Sequence, residues 1–230
     1  MKSNFIAILF LSILASSCIK EKSEVEPLIL CDCFSNQVIG KDSLTSGSYL
    51  GLEINKNAVD IYASIQKMND TINFNYLNLV GNVFSGMSQL KDRIPLYQSI
   101  YLDEQKGTDS GVQISFENNK VSKIFLNSGQ QLSQWPSSGN EDTVIRNGDD
   151  VTLLYAKLLK VNKLSAYGKK FERISLFAKD LTSTYDPVLT QLPQWYFTHI
   201  PGTNLMDIIH LNFQDGKLVK INITHYKTNA

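Results

Sequence analysis

Apolar residues run without a charge from Phe5 to Leu14 (FIAILFLSIL), behind the basic Lys2. A hydrocarbon layer takes about 20 helical residues to cross, so this run predicts the core of a signal peptide rather than a membrane span. Ile19 to Pro27 (IKEKSEVEP) is charged and aperiodic, the pattern of a solvated tether. Farther on, helical and strand periods alternate. Ala58, Ile61, Tyr62 and Ile65 stand at i, i+3, i+4 and i+7, the stripe of an amphipathic helix, and Val151, Leu154, Tyr155 and Leu158 repeat it 93 positions later. Each stripe follows a predicted strand and a polar turn: Tyr49 to Ile54 before Asn55-Lys56-Asn57, and Thr143 to Arg146 before Asn147-Gly148-Asp149. Asn57 and Asp149 are placed to cap these helices.

The duplication continues downstream. Ile94-Pro95-Leu96-Tyr97 matches Leu192-Pro193-Gln194-Trp195 at an offset of 98, and Phe116 to Ile124 matches Phe213 to Ile221 at an offset of 97. The latter stretch predicts a bulged hairpin with a three-residue loop and Gly216 in the left-handed region. Phe213 would then pair with Lys217, and Ile209, Leu211, Val219 and Ile221 would share a face. Asn119, tolerant of positive φ, holds the place of Gly216 in the first stretch. Phe74 to Phe84 and Phe171 to Phe177 each predict a further strand, and Trp135 to Asp142 reads as a linker. The predicted fold class is α+β, two tandem copies of a strand-helix-antiparallel sheet module. Its segments are 1–17 (signal peptide), 18–47 (anchor, tether and N-terminal strand), 48–135 (first repeat) and 136–230 (second repeat).

The small residues of Leu14-Ala15-Ser16-Ser17-Cys18 lead from the apolar run directly into a cysteine. This resembles the lipobox of bacterial lipoproteins, in the looser form of the Bacteroidota, with serine just before the cysteine. The resemblance implies a diacylglyceryl thioether on Cys18, cleavage on its N-terminal side, and a lipid-anchored protein of the cell envelope, at the outer membrane. Each buried methylene contributes about 0.8 kcal/mol, so several chains on one cysteine hold durably where a single chain does not. Charges just after Cys18 also resemble surface-export signals of such lipoproteins. The body, as a pattern over residues 48–227, resembles the tandem modules of SmpA/BamE-like and β-lactamase-inhibitor-like proteins, exported proteins that bind other proteins. No binding residue carries over from either.

Composition narrows the partners. The chain has 22 basic and 22 acidic residues, and loss of residues 1–17 removes only Lys2. That balance offers no electrostatic footprint for nucleic acid. Cys31 and Cys33 remain after Cys18, in Leu28 to Phe34 (LILCDCF). As a strand this segment points both thiols to one face. The readings are a strained disulfide in an oxidising compartment, an incidental pair, or part of a redox or metal site lacking its other ligands.

Motifs of catalysis are missing: there is no nucleophile elbow, no H-E-x-x-H and no phosphate-cradling glycine loop, and no cofactor is expected. Asp109-Ser110-Gly111 has the letters of an aspartic-protease triplet but no preceding apolar strand, and Gly107-Thr108-Asp109 and Gly202-Thr203-Asn204 echo each other as turns. His199, His210 and His225 would make a metal site only by converging. Asp149-Asp150 and Asp103-Glu104 read as turn or cap carboxylates rather than general acid and base. Tyr97 and Tyr101, with Trp195 and Phe197, share one face of equivalent strands. They form either an aromatic surface for a protein or a sugar ring, or the core beneath a helix. The sequence thus points to a lipid-anchored binding protein whose partner is a protein or a glycan. The alternatives are an envelope hydrolase and a glycan-binding lipoprotein of a nutrient-uptake system. A pocket of converging carboxylates or histidines would favour the hydrolase.

Overall fold

The computed structural model describes residues 36–69, 74 and 76–228. Strand β1 (Asn36–Leu44) and the short strands β2 (Ser48–Tyr49) and β3 (Leu52–Glu53) precede helix α1 (Ala58–Asn69). Then come β4 (Tyr76–Val80), β5 (Val83–Phe84) and a meander of β6 (Tyr97–Asp103), β7 (Val112–Glu117), β8 (Lys120–Leu126) and β9 (Gln131–Leu132). β10 (Gln134–Trp135) pairs with β11 (Ile145–Arg146) ahead of helix α2 (Val151–Asn162). β12 (Arg173–Asp180) leads to a second meander, β13 (Gln194–Gly202), β14 (Leu205–Gln214) and β15 (Lys217–Thr228).

The expected α+β class of two tandem strand-helix-sheet modules fails: the described residues are mostly antiparallel β-sheet, with two α-helices and one large sheet. Eleven strands form one antiparallel sheet in the order β1-β15-β14-β13-β4-β12-β6-β7-β8-β9, with β5 beside β12. Strands of the two halves are interleaved. β4 pairs with β13, and β12 pairs with β6, so each half of the chain supplies an edge partner for the other half's meander. β4 and β12 then pair with each other, Leu77 opposite Lys179 and Tyr76 opposite Asp180, closing the seam.

The helices are exchanged in the same sense. At the start of α1, Asn55 N–H donates to Leu218 O (2.8 Å), Leu218 N–H to Lys56 O (3.0 Å) and Ala58 N–H to Gly216 O (2.8 Å). At the start of α2, Gly148 N–H donates to Val121 O (2.8 Å), Val121 N–H to Asp149 O (2.8 Å) and Val151 N–H to Asn119 O (3.0 Å). The two sets correspond residue for residue under the sequence offsets of 93 and 97. Each helix therefore spends the orphan N–H of its first residue on the hairpin of the opposite half.

Local expectations need smaller corrections. Tyr49 to Ile54 is a tight hairpin rather than one strand, because Leu50 (φ 52°) and Gly51 (φ 78°) both turn left-handed, the geometry that matches strand twist. The β14–β15 turn has two residues, Asp215 (φ 50°) and Gly216 (φ 70°), with Gln214 opposite Lys217 and Phe213 opposite Leu218. The bulge is present, but it gives the buried place to Leu218 and leaves Val219 half-buried. Asp150, not Asp149, caps α2, accepting from Thr152 N–H at 2.9 Å. Trp135, expected in a linker, is buried against Tyr167 and Phe171.

One apolar core gathers the helix stripes (Ile61, Tyr62 and Ile65; Leu154 and Leu158) with strand residues of both meanders, among them Ile100, Ile114, Ile124, Leu211 and Ile221. Among the described residues, both helices thus lie on one face of the sheet, and the other face carries no helix.

Candidate functional site

Register assigns the helix-free face. Asn78 stands opposite Tyr196, Tyr196 opposite His210, and His210 opposite Asn222. Tyr76, Val80, Thr198 and Phe177 are exposed on the same side, and His210, Asn212, Asn222 and Thr224 are half-buried. Tyr196 and His210 stack with centroids 5.3 Å apart, and burial lowers the His210 pKa. The surface is therefore polar with separated aromatic rings.

Three of the four rings singled out in the sequence do not form it. Trp195, Phe197 and Tyr97 are buried, at 0, 1 and 3% exposure. Trp195 lies opposite Leu211 and Phe197 opposite Ile209, on the face that the helices cover, and Trp195 packs 4.2 Å from Phe213. The Tyr97 hydroxyl donates to Asp186 at 2.6 Å, and its pKa is raised by burial and by that carboxylate. Tyr101 alone is half-buried, 6.2 Å from Phe177. Alternation sorts residues onto two faces but does not say which face a helix covers, so it is the half-buried Tyr196, between two buried rings, that lies on the helix-free face.

Three polar clusters contain side chains capable of chemistry. In the first, the fully buried Asp103 accepts from Tyr101 Oη (2.6 Å), Thr108 Oγ1 (2.7 Å) and the backbone N–H groups of Glu104 (2.8 Å) and Thr108 (2.9 Å). Burial opposes its ionisation, but the bonds from Tyr101 and Thr108 outweigh it and hold the carboxyl at about 2. Lys170 Nζ ties Ser110 (2.6 Å), Thr108 (2.8 Å) and Glu104 (2.9 Å) around it. The Asp-Ser-Gly triplet belongs to this loop. A β-carbon on Gly111 would stand 2.5 Å from Asn127 Nδ2 and 2.7 Å from the Asp103 carboxyl carbon, so glycine is required for close approach. With no second carboxylate sharing a proton, the cluster is a loop clamp.

The second cluster holds two of the three histidines. His225 is bridged between Asp207 (Nδ1 to Oδ1, 2.7 Å) and Asp42 (Nε2 to Oδ2, 3.1 Å), while His199 lies 3.8 Å from Asp207 and His210 is elsewhere. Tyr49 also donates to Asp207, and burial with that carboxylate pushes its hydroxyl up to about 12. Hydrogen bonds to Asp207 and Asp42 raise the His225 pKa. Both of its ring nitrogens are engaged, so the imidazole fastens β1 to β15 and β14 and has no nitrogen to offer a substrate.

In the third, Lys179 is wholly buried and donates to Ser183 Oγ (2.5 Å), Tyr62 Oη (2.9 Å) and Asp180 O (2.9 Å). A lysine beside a serine has the parts of an activated nucleophile. Here all three N–H bonds are committed, and Ser183 itself donates to Asp180 O at 2.7 Å. Burial pushes the ammonium down to about 8, against the pull of Asp180 and Asp186. Sequence reasoning missed this residue because alternation places Lys179 with the exposed Phe177. Ala178, at φ 56°, breaks that alternation.

Of the paired carboxylates, Asp149 accepts from Arg146 N–H and Lys157, and Asp150 is the α2 cap. Cys18, Cys31 and Cys33 lie outside the described residues. Among those described, no group of three or more histidine, cysteine or carboxylate side chains is placed to hold a metal ion, and no helix is long and apolar enough to cross a membrane. No family model, no curated protein and no solved structure matches this chain.

Proposed function

We propose that this is a lipid-anchored binding module of the cell envelope, held at the outer membrane through acylated Cys18, whose helix-free sheet face engages a protein partner. The observation that carries the reading is the set of separated aromatic side chains on that face: Tyr76 and Phe177, 46 and 42% exposed, with the half-buried Tyr196. Aromatic side chains such as Tyr and Phe are enriched at the centres of protein interfaces. The polar clusters support it indirectly, since each spends its groups on loops and strands. Crosslinking and affinity capture of the mature protein from its own envelope tests the reading against the variant carrying Tyr76→Ser, Phe177→Ser and Tyr196→Ser. A partner that the wild type retains and the variant loses is the expected result. An unchanged set of captured proteins defeats the binding face, and wild-type protein left unmarked by a labelled fatty acid defeats the anchor.

A further inference from the structure

The duplicated hairpin tips create two grooves at equivalent places, and they have diverged. One, of about 500 Å³, lies between the Pro95 turn and the β7–β8 tip; its counterpart, of about 400 Å³, lies between Pro193 and the β14–β15 tip. In the first, Gln98, Glu117, Asn118 and Asn119 line the walls, and none of these side chains is hydrogen-bonded within the described residues. The half-buried Phe116 ring adds an apolar patch. In the second, Asp215 and Gly216 stand where Asn118 and Asn119 do, and Thr190 Cγ2 lies 2.7 Å from where a β-carbon on Gly216 would project, so the tip has lost its two carboxamides and is covered.

We propose that the groove at the β7–β8 tip binds a neutral saccharide, recognised by the carboxamides of Gln98, Asn118 and Asn119 and the Glu117 carboxylate, with Phe116 beneath a sugar ring. A carboxamide both donates and accepts, which suits a hydroxyl that does the same, and the volume falls in the range of small-ligand sites. The walls are preorganised: Asn118 and Asn119 sit in the left-handed region at 51 and 59°, and Asn119 O is already taken by Val151 N–H. Hairpin and helix thus leave no free strand edge for an extended peptide. Glu117 and Asp180 face the groove without a lining cation, which disfavours anionic ligands. The proposal is independent of the protein-binding face, whose variant leaves the groove intact.

The test is calorimetric titration of the full chain in detergent with maltohexaose, cellohexaose and xylohexaose, each alone, and with polygalacturonate as the anionic contrast. Binding of at least one neutral hexasaccharide is expected, weakened at least about tenfold by combined Gln98→Ala and Glu117→Ala. Gln191→Ala, in the diverged groove, is expected to leave it unchanged. The inference is overturned if all three fail to bind, if the double variant binds as the wild type does, or if polygalacturonate alone binds. Folding of the double variant is verified by its thermal transition, and side-chain amide resonances of Asn118 and Asn119 in the wild type provide a readout free of substitution.

Discussion

Replacing Lys179 with methionine should abolish a pH dependence that the wild type carries. The folded ammonium titrates at about 8 and the unfolded one at 10.5. Between those values the unfolded chain binds more protons than the folded one, so this residue makes stability rise with pH. Integrated from pH 7 to pH 9.5, its contribution is a gain of about 2 kcal/mol. Lys179→Met removes it without orphaning an acceptor: Tyr62 Oη still donates to Ser183 O (3.0 Å) and Asp180 O (3.2 Å), and Ser183 Oγ to Asp180 O. The lost bonds and the relieved burial of charge oppose each other, so the variant should lie within about 1 kcal/mol of wild type at pH 7. Urea unfolding of both proteins across pH 7 to 9.5 provides the assay. Tyrosines away from Lys179 whose pKa burial raises, Tyr49 and Tyr196 among them, lower the stability of both proteins alike above pH 9 and cancel in the difference. Parallel profiles would refute the reasoning, because they would mean that no charge is confined at this position.

Gly111→Ala should destabilise by about 1 to 3 kcal/mol, the cost of overpacking, since both neighbours of the added carbon are locked by hydrogen bonds; chemical denaturation measures it. His225→Gln should remove a term of opposite sign to that of Lys179. The raised His225 pKa gives a contribution fully present below pH 6.5 and lost as pH rises through the folded value, so wild type should exceed the variant by more at pH 5.5 than at pH 8.5 in urea unfolding. Because the halves exchange strands, the fragments 34–135 and 136–230 should each lack a cooperative thermal transition and regain one on mixing; a cooperative transition in either alone would contradict the exchange.

What could be read in the sequence was local. The helix stripes rest on a 3.6 period that burial reproduces at Ala58, Ile61, Tyr62 and Ile65, and the bulged hairpins rest on turn residues such as Gly216. The exchange was illegible for a physical reason: a helix start that bonds to its own hairpin and one that bonds to its neighbour's need the same side chains, so offsets of 93 and 97 describe both. The candidate surface failed on a different point. Trp195-Tyr196-Phe197 shows the alternation plainly, but the covered face is decided by helices more than 30 positions away. Asp103 reads as a turn carboxylate and Lys179 is missed because a charged residue at the end of a strand or within it reads as solvent-facing until distant partners are known. In the Asp103 cluster those partners come from residues 101–127 and from Lys170 and Arg173.

The seam explains how a chain whose two halves carry matching hairpins and helix starts selects one pairing. Two halves with matching meanders and helices offer two arrangements of similar apolar burial, tandem or exchanged, and hydrophobic area does not distinguish them. Buried polar groups do, because each is satisfied in one arrangement only. Lys179 stands in β12 at the seam, and its partner Tyr62 belongs to α1 of the opposite half. At the place corresponding to Lys179 in the first half stands Asn82, also buried, whose amide donates to Leu176 O of β12 at 2.9 Å. In a tandem arrangement Lys179 would keep Ser183 and Asp180 but lose Tyr62, the Tyr62 hydroxyl would lose its acceptors Asp180 O and Ser183 O, and the Asn82 amide would lose Leu176 O, at about 1 to 3 kcal/mol for each buried group left unpaired. That penalty falls on the tandem arrangement alone, so the Lys179–Tyr62 and Asn82–Leu176 contacts are best understood as helping to fix which half completes which.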